Sequence, residues 1–335
     1  MGPAITGLGF SVPGKLRTND DPVFAWIKQN HPAYADSFKG FRDRRILAEG
    51  KALSALMSRA ALAALADAGV AADEVGLILG LGSVGPLTSP NVLAEVHRDV
   101  GLPRGCQIIP LETEHTVFND ALVVADAMLR SRPGLRNALV VCGCDWSRHV
   151  SYHEATCIGA ADGAGAAVVS LTDDPSCFRV VDSAVETDTS FVGAMRMAAR
   201  ATGIAEPAAP YDPTLYTTPL MYYGEEAQKA FQTFGVGVPP RLIAELLARN
   251  ALSAAEICLI AHQASSVLTD AWLSAVGPGQ FLTTIESYAN MTIASVPVTL
   301  ASRYGEIETS RLVLLTLGMQ QQASAVLLAR DPLPS

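Results

Sequence analysis

The residues best suited to chemistry lie in three short stretches. The first is Glu112-Thr113-Glu114-His115, which follows the apolar run Ile108–Leu111 and precedes Val117, Phe118, Ala121, Leu122, Val124, Ala125 and Met128. Their three- and four-residue spacing predicts a strand, a tight turn and a buried helix. Such a turn presents one side chain where unpaired N–H groups and the positive end of the helix dipole converge. The side chain presented is His115, with Glu114 beside it. A cation is disfavoured there, so His115 is expected to be neutral near pH 7. A neutral imidazole acts as a general base toward an amine, an alcohol or an enolisable carbon, or as a nucleophile forming an acyl-imidazole. The base role is preferred, because an acyl-imidazole hydrolyses readily. Glu114 is a candidate to orient or polarise it.

The other two stretches are Ala261-His262-Gln263-Ala264-Ser265, which ends an apolar run, and Tyr288-Ala289-Asn290-Met291-Thr292, which precedes a buried helical segment, Ile293–Val298. His262 and Asn290 read as a hydrogen-bonding pair for a developing oxyanion or enolate. The alternative is a pair of inherited residues in a site no longer used. Cys144, at the end of the run Asn137–Cys144, is either a small core residue or a substitute nucleophile. His149 and His153 lack metal-ligand spacing and read as surface residues, so no metal site is expected. Tyr222 and Tyr223 are candidates either to line a tunnel or to pack in the core.

The elements that must position these groups repeat. An Ala/Leu-rich helix over Lys51–Ala68 ends at Gly69, the strand Val75–Leu81 follows, then a Pro/Ser loop at Pro86–Pro90 and a helix at Asn91–Val100. Asp162–Val169 is a Gly-rich start to a further strand. Leu65–Ile78 aligns with Leu247–Ile260 at a constant offset of 182 residues, and Ala138–Val141 finds an echo in Arg311–Leu314. Two α/β halves, 1–172 and 173–335, related by pseudo-twofold symmetry, are therefore expected. Sites in such folds lie between the halves at strand C-terminal ends, which would bring the three stretches together.

The bulk composition narrows the partners. The 335 residues carry a net charge of −9 without a Lys/Arg block, which argues against nucleic acid and an anionic membrane surface. The chain has no run of 18 apolar residues and no signal-peptide signature. Six cysteines without a CxxC pair fit a reduced, cytoplasmic protein. With 49% apolar and 17% charged residues, part of the surface is expected to be covered by another subunit, in a homodimer or in a heterodimer with a homologue. Lys39, Arg42, Arg44 and Arg45 form the densest basic spot, either a solvated turn or the rim of an anionic ligand site.

The chain resembles the thiolase superfamily, and within it the type III ketoacyl-acyl-carrier-protein synthases. The resemblance rests on His262-Gln263-Ala264, on Asn290 with Ala294-Ser295-Val296-Pro297, on Asp162-Gly163-Ala164-Gly165-Ala166-Ala167 and on the opening Gly7–Pro13. It implies a thiolase-like fold of two pseudo-symmetric halves in αβαβα layers. It also implies thioester substrates carried on coenzyme A or phosphopantetheine, with an acyl carrier protein as a partner. By the resemblance, His262 and Asn290 hold a thioester carbonyl, and Trp26 matches a tryptophan near the nucleotide. The nucleophilic cysteine falls on His115, a coenzyme-A-contacting arginine on Glu154, and a basic carrier-docking residue on Val267. Of a Gly-rich loop that helps form the oxyanion hole, Gly318 remains in Leu317-Gly318-Met319-Gln320-Gln321-Gln322. The expected activity is acyl transfer or condensation from a thioester to a small acceptor in specialised-metabolite biosynthesis, without a cysteine acyl-enzyme. The rivals are a malonyl-thioester decarboxylase and a non-catalytic partner of a cysteine-bearing homologue.

Overall fold

The apolar runs become the strands of two sheets with one topology. A computed structural model of the chain describes residues 1–85, 89–198, 220–224 and 226–331. Residues 86–88 of the Pro86–Pro90 loop and the side chains of Tyr222 and Tyr223 lie outside the described residues. The chain begins with β1 (Gly2–Ser11) and a ribbon of β2 (Lys15–Thr18) and β3 (Asp43–Ile46), with α1 (Ala25–Asn30) between the ribbon strands. Then come α2 (Leu53–Ala68), β4 (Leu77–Ser83), α3 (Leu93–Val100), β5 (Gln107–Pro110), α4 (Val117–Ser131), β6 (Asn137–Cys144) and β7 (Gly163–Thr172). The first sheet has the order β1-β7-β6-β4-β5, with β4 parallel to β5 and β6, and β7 antiparallel to its neighbours.

The remainder repeats this plan. It runs β8 (Arg179–Thr187), a ribbon of β9 (Met195–Ala198) and β10 (Leu220–Tyr223), α5 (Ala227–Ala230), α6 (Val236–Arg249), β11 (Cys258–Ala261) and α7 (Ser266–Val276). β12 (Gln280–Leu282), α8 (Ile285–Tyr288), α9 (Ser295–Arg303), β13 (Arg311–Gly318) and β14 (Gln322–Ala329) complete it. The second sheet has the order β8-β14-β13-β11-β12, which reproduces the first strand for strand, including the parallel and antiparallel pairings.

The helices α4 and α9 pack between the two sheets, while α2 and α3 cover the outside of one and α6 and α7 the outside of the other. A central helix has apolar neighbours on opposite sides, and α4 accordingly buries Val117, Phe118, Ala121, Leu122 and Ala125. Its buried polar residue, Asn119, donates from Nδ2 to the carbonyls of Leu314 (2.9 Å) and Ser324 (3.0 Å), tying the central helix to the second sheet.

Two sequence motifs meet in the middle. A methyl group built on Gly165 would stand 2.7 Å from the backbone carbonyl carbon of Pro297, so the Gly-rich strand β7 and helix α9 touch through backbone. Gly165→Ala should therefore cost about 1–3 kcal/mol through overpacking, read as a lower urea midpoint at unchanged slope. Asp162, just before β7, is fully buried and accepts from Leu47 N (2.6 Å), Ser147 N (3.0 Å) and Ser147 Oγ (2.7 Å). Burial pushes its carboxyl up to about 6, against the pull of those hydrogen bonds.

Candidate active site

Each central helix is entered through a residue with positive φ. Glu114 (φ 54°) opens the single turn Glu114–Thr116 before α4, and Thr292 (φ 43°) opens Thr292–Ala294 before α9. A non-glycine residue in this region is held against local preference, here by packed strands on both sides. The two turns face each other, and a cavity of about 790 Å³ opens over them. His115, His262, Asn290 and Gly318 all line it.

The His115 and His262 rings lie 5.1 Å apart between centroids, with their planes at 34°. His115 is half-buried and lines the cavity. Desolvation pulls its pKa down to about 4, while a hydrogen bond to the Leu317 carbonyl partly offsets this. Its neutrality thus comes mainly from burial, where the sequence had pointed to the helix dipole. With one ring N–H committed to Leu317, the other nitrogen carries a lone pair. Burial and the neighbouring His115 hold His262 well below the ordinary histidine value. His262 Nδ1 is enclosed without a hydrogen-bond partner, so the Nε2–H tautomer is the one able to bond a ligand oxygen.

Asn290 is fixed by its own backbone. Its N–H donates to Gly159 O (2.9 Å), and its carbonyl accepts from Ala161 N (3.2 Å) and Trp146 Nε1 (2.7 Å). Its Oδ1 accepts from Thr292 N (2.8 Å), which leaves the Nδ2 donor for the cavity. A methyl built on Gly318 would stand 3.7 Å from the amide nitrogen of His115, so the β13 end lies against the head of α4.

Other expected site residues are placed differently. Glu114 does not line the cavity, and its carboxyl is raised by burial and by Glu112 without any interaction with the imidazole. Trp26 is 40% exposed and stacks on His153 at 4.0 Å between ring centroids; His153 lines the cavity, whereas Trp26 is not among its lining residues. The basic spot is dispersed in the fold, and of its four residues Lys39 alone is among those that line the cavity. Arg42 pairs with Asp43 (3.0 Å) and Glu286 (2.9 Å), and Lys39 with Asp36 (2.8 Å). Arg44 is buried among Phe24, Phe38 and Phe41, with its pKa lowered to about 10 by desolvation. His149 is buried, 3.6 Å from Asp145, rather than at the surface. Cys144 is enclosed with Sγ 2.8 Å from Met291 O, and burial raises its thiol strongly, so it is not poised as a nucleophile.

Two sets of lining residues escaped the sequence reading. Met195, Met221, Phe231, Leu317 and Met319 form an apolar wall, assembled from a ribbon, a π-helical turn at Phe231–Gly235 and the β13–β14 hairpin. No periodicity links such distant segments. Gln321 is the second; its glutamine run was visible as a loss of glycine, which was the available signal. Among the described residues no group of three or more His, Cys, Asp or Glu side chains is placed to hold a metal ion, and no helix is long and apolar enough to cross a membrane.

Mirrored halves with a site where two central helix heads meet define a thiolase-like protein. The pattern of the 3-oxoacyl-[acyl-carrier-protein (ACP)] synthase III family matches residues 111–189. The beta-ketoacyl-[acyl-carrier-protein] synthase III of Rhodospirillum rubrum is 30% identical over 325 residues, covering 93% of this chain and 94% of the relative. That of Thiobacillus denitrificans is 28% identical over 318 residues, covering 93% of each. The chain belongs to the beta-ketoacyl-[acyl-carrier-protein] synthase III family, a family of condensing transferases. Among solved structures, the fold matches the priming beta-ketosynthase of the R1128 polyketide pathway (TM-score 0.84, 21% identity, 99% of this chain and 97% of that one). It also matches the synthase III of Aquifex aeolicus (TM-score 0.79, 22% identity, 98% and 100%).

Proposed function

We propose that the protein transfers an acyl or β-ketoacyl group from a carrier-protein or coenzyme A thioester directly to a small acceptor, in specialised-metabolite biosynthesis. The observation that carries this reading is His115, a desolvated imidazole with a free lone pair, at the helix head where the family resemblance places a nucleophilic cysteine. The acceptor X–H attacks the thioester carbonyl while His115 takes its proton. His262 Nε2–H and Asn290 Nδ2–H stabilise the oxygen as it becomes negative. Collapse breaks the C–S bond, and the proton passes from His115 to the departing thiolate. No acyl-enzyme forms. The same His262–Asn290 pair would stabilise an enolate, which supports malonyl-thioester decarboxylation as a second reading. Six free cysteines and the charge-poor composition favour a cytoplasmic protein paired with a second copy or a homologue.

The test uses the full chain alone with acyl- and malonyl-thioesters of coenzyme A and of a carrier protein, following thiol release and intact protein mass. Acceptor-dependent thiol release with no mass increase is expected. A stable acyl-protein would overturn the direct-transfer route. Carbon dioxide release without transfer would identify a decarboxylase, and no turnover together with co-purification of a cysteine-bearing homologue would favour a non-catalytic partner.

A further inference from the structure

The β13–β14 hairpin places one further polar group in the cavity. Gly318 pairs with Gln322, leaving Met319-Gln320-Gln321 as a three-residue loop. The last position of such a loop is left-handed and ordinarily glycine. Gln321 occupies it with φ 56°, donating its N–H to Gly318 O (3.2 Å) and accepting from Asp188 N (2.9 Å). Its side chain is 2% exposed and lines the cavity with His115. The carboxamide Nε2 donates to Met319 O at 3.4 Å, and a carbonyl only accepts, so the orientation of the amide follows. Oε1 then has no hydrogen-bond partner among the described residues, in a side chain that lines the cavity. The two flanking glutamines are engaged: Gln320 Nε2 donates to Gln322 Oε1 (2.6 Å), and Gln322 Nε2 to Thr116 Oγ1 (3.2 Å).

We propose that Gln321 binds the acyl acceptor, and that this acceptor is a neutral primary amine; the inference rests on the transfer reading above. His115 and Gln321 both adjoin Gly318, so a molecule between them meets two hydrogen-bond acceptors, the imidazole lone pair and the carboxamide oxygen. A primary amine supplies two N–H groups on the attacking atom and satisfies both, keeping its own lone pair for the carbonyl. An alcohol supplies one O–H and leaves Oε1 unpaired in a desolvated site, which disfavours it. The nitrogen–carbon bond forms, the C–S bond breaks, and one amine proton passes through His115 to the thiolate. The products are an amide and a free thiol.

Aniline, N-methylaniline and phenol form a matched series with two, one and one hydrogens on the attacking atom, all neutral at pH 7. The wild type is expected to favour aniline by at least about tenfold in kcat/KM. Gln321→Met should raise the aniline KM about tenfold, leave the thioester KM unchanged and erase the preference within the series. Gln321→Gly, with a backbone suited to the left-handed position, should show the same loss at an undiminished melting temperature. An aniline KM that Gln321→Met does not move, or a wild-type preference for phenol, overturns the proposal. Binding of aniline alone, followed by calorimetry, separates the two readings. Binding that weakens in Gln321→Met without any turnover supports Gln321 as the amine site and sinks the transfer reading. Turnover with unaltered aniline binding sinks the Gln321 assignment.

Discussion

His115→Ala is expected to lower acyl transfer by about three orders of magnitude in kcat, the middle of the range for loss of a positioned general base. Thioester binding should change little, because His262, Asn290 and the apolar wall remain. The protein mass should stay free of acyl adducts in both forms. A transfer rate within about tenfold of wild type would remove His115 from the chemistry. The pH dependence supplies a second, activity-independent readout. In the folded chain the imidazole titrates near about 4, against 6.5 as its ordinary value. As pH falls below 6.5, the unfolded chain takes up a proton that the folded chain refuses, so stability declines across this window down to about 4. His262 shifts in the same direction and adds to the slope. Removing His115 should flatten the decline in urea midpoint between these pH values. Wild-type kcat/KM should hold from neutrality down to about pH 5, because the base remains neutral throughout.

Asn290→Ala is the second large effect, expected to lower kcat by about 10²–10³-fold, as for loss of one donor to a developing oxyanion. Its fold should survive, because the Asn290 backbone bonds to Gly159, Ala161 and Trp146 do not involve the side chain. The Thr292 amide would lose its Oδ1 partner, a change of about 1 kcal/mol measured by denaturant unfolding. Steady-state kinetics should show the loss in kcat with KM nearly unchanged, since the interaction strengthens as charge develops. A rise in KM at constant kcat would instead assign Asn290 to ground-state binding.

The secondary elements and their duplication were legible because each is written locally. Apolar runs such as Leu77–Leu81 and Asn137–Cys144 are buried on both faces, and α4 shows its helical spacing over several turns. Gly69 ends α2 in the left-handed conformation, as its position after the Ala/Leu run implied. Boundaries moved by two residues or so, since helix starts at Leu53 and Leu93 depend on packing as well as on pattern. The glutamine run after Gly318 was read only as missing glycine. Its side-chain directions follow from a left-handed residue and a hairpin register that no spacing rule encodes.

The sequence by itself determined two like α/β halves, a histidine at the head of the first central helix, and His262 and Asn290 as its companions at the cleft. These follow from periodicity and motif, which are properties of neighbours along the chain. Only the tertiary structure decided that His115 lines the cavity while adjacent Glu114 does not, since the cavity forms only where the two helix heads meet. Only it decided that the basic segment is split, with Lys39 at the cavity while Arg42 meets Glu286 from the far half and Arg44 is buried among aromatic rings. Charge pairing and desolvation are set by what lies close in space, and that proximity exists only once the two halves have packed together.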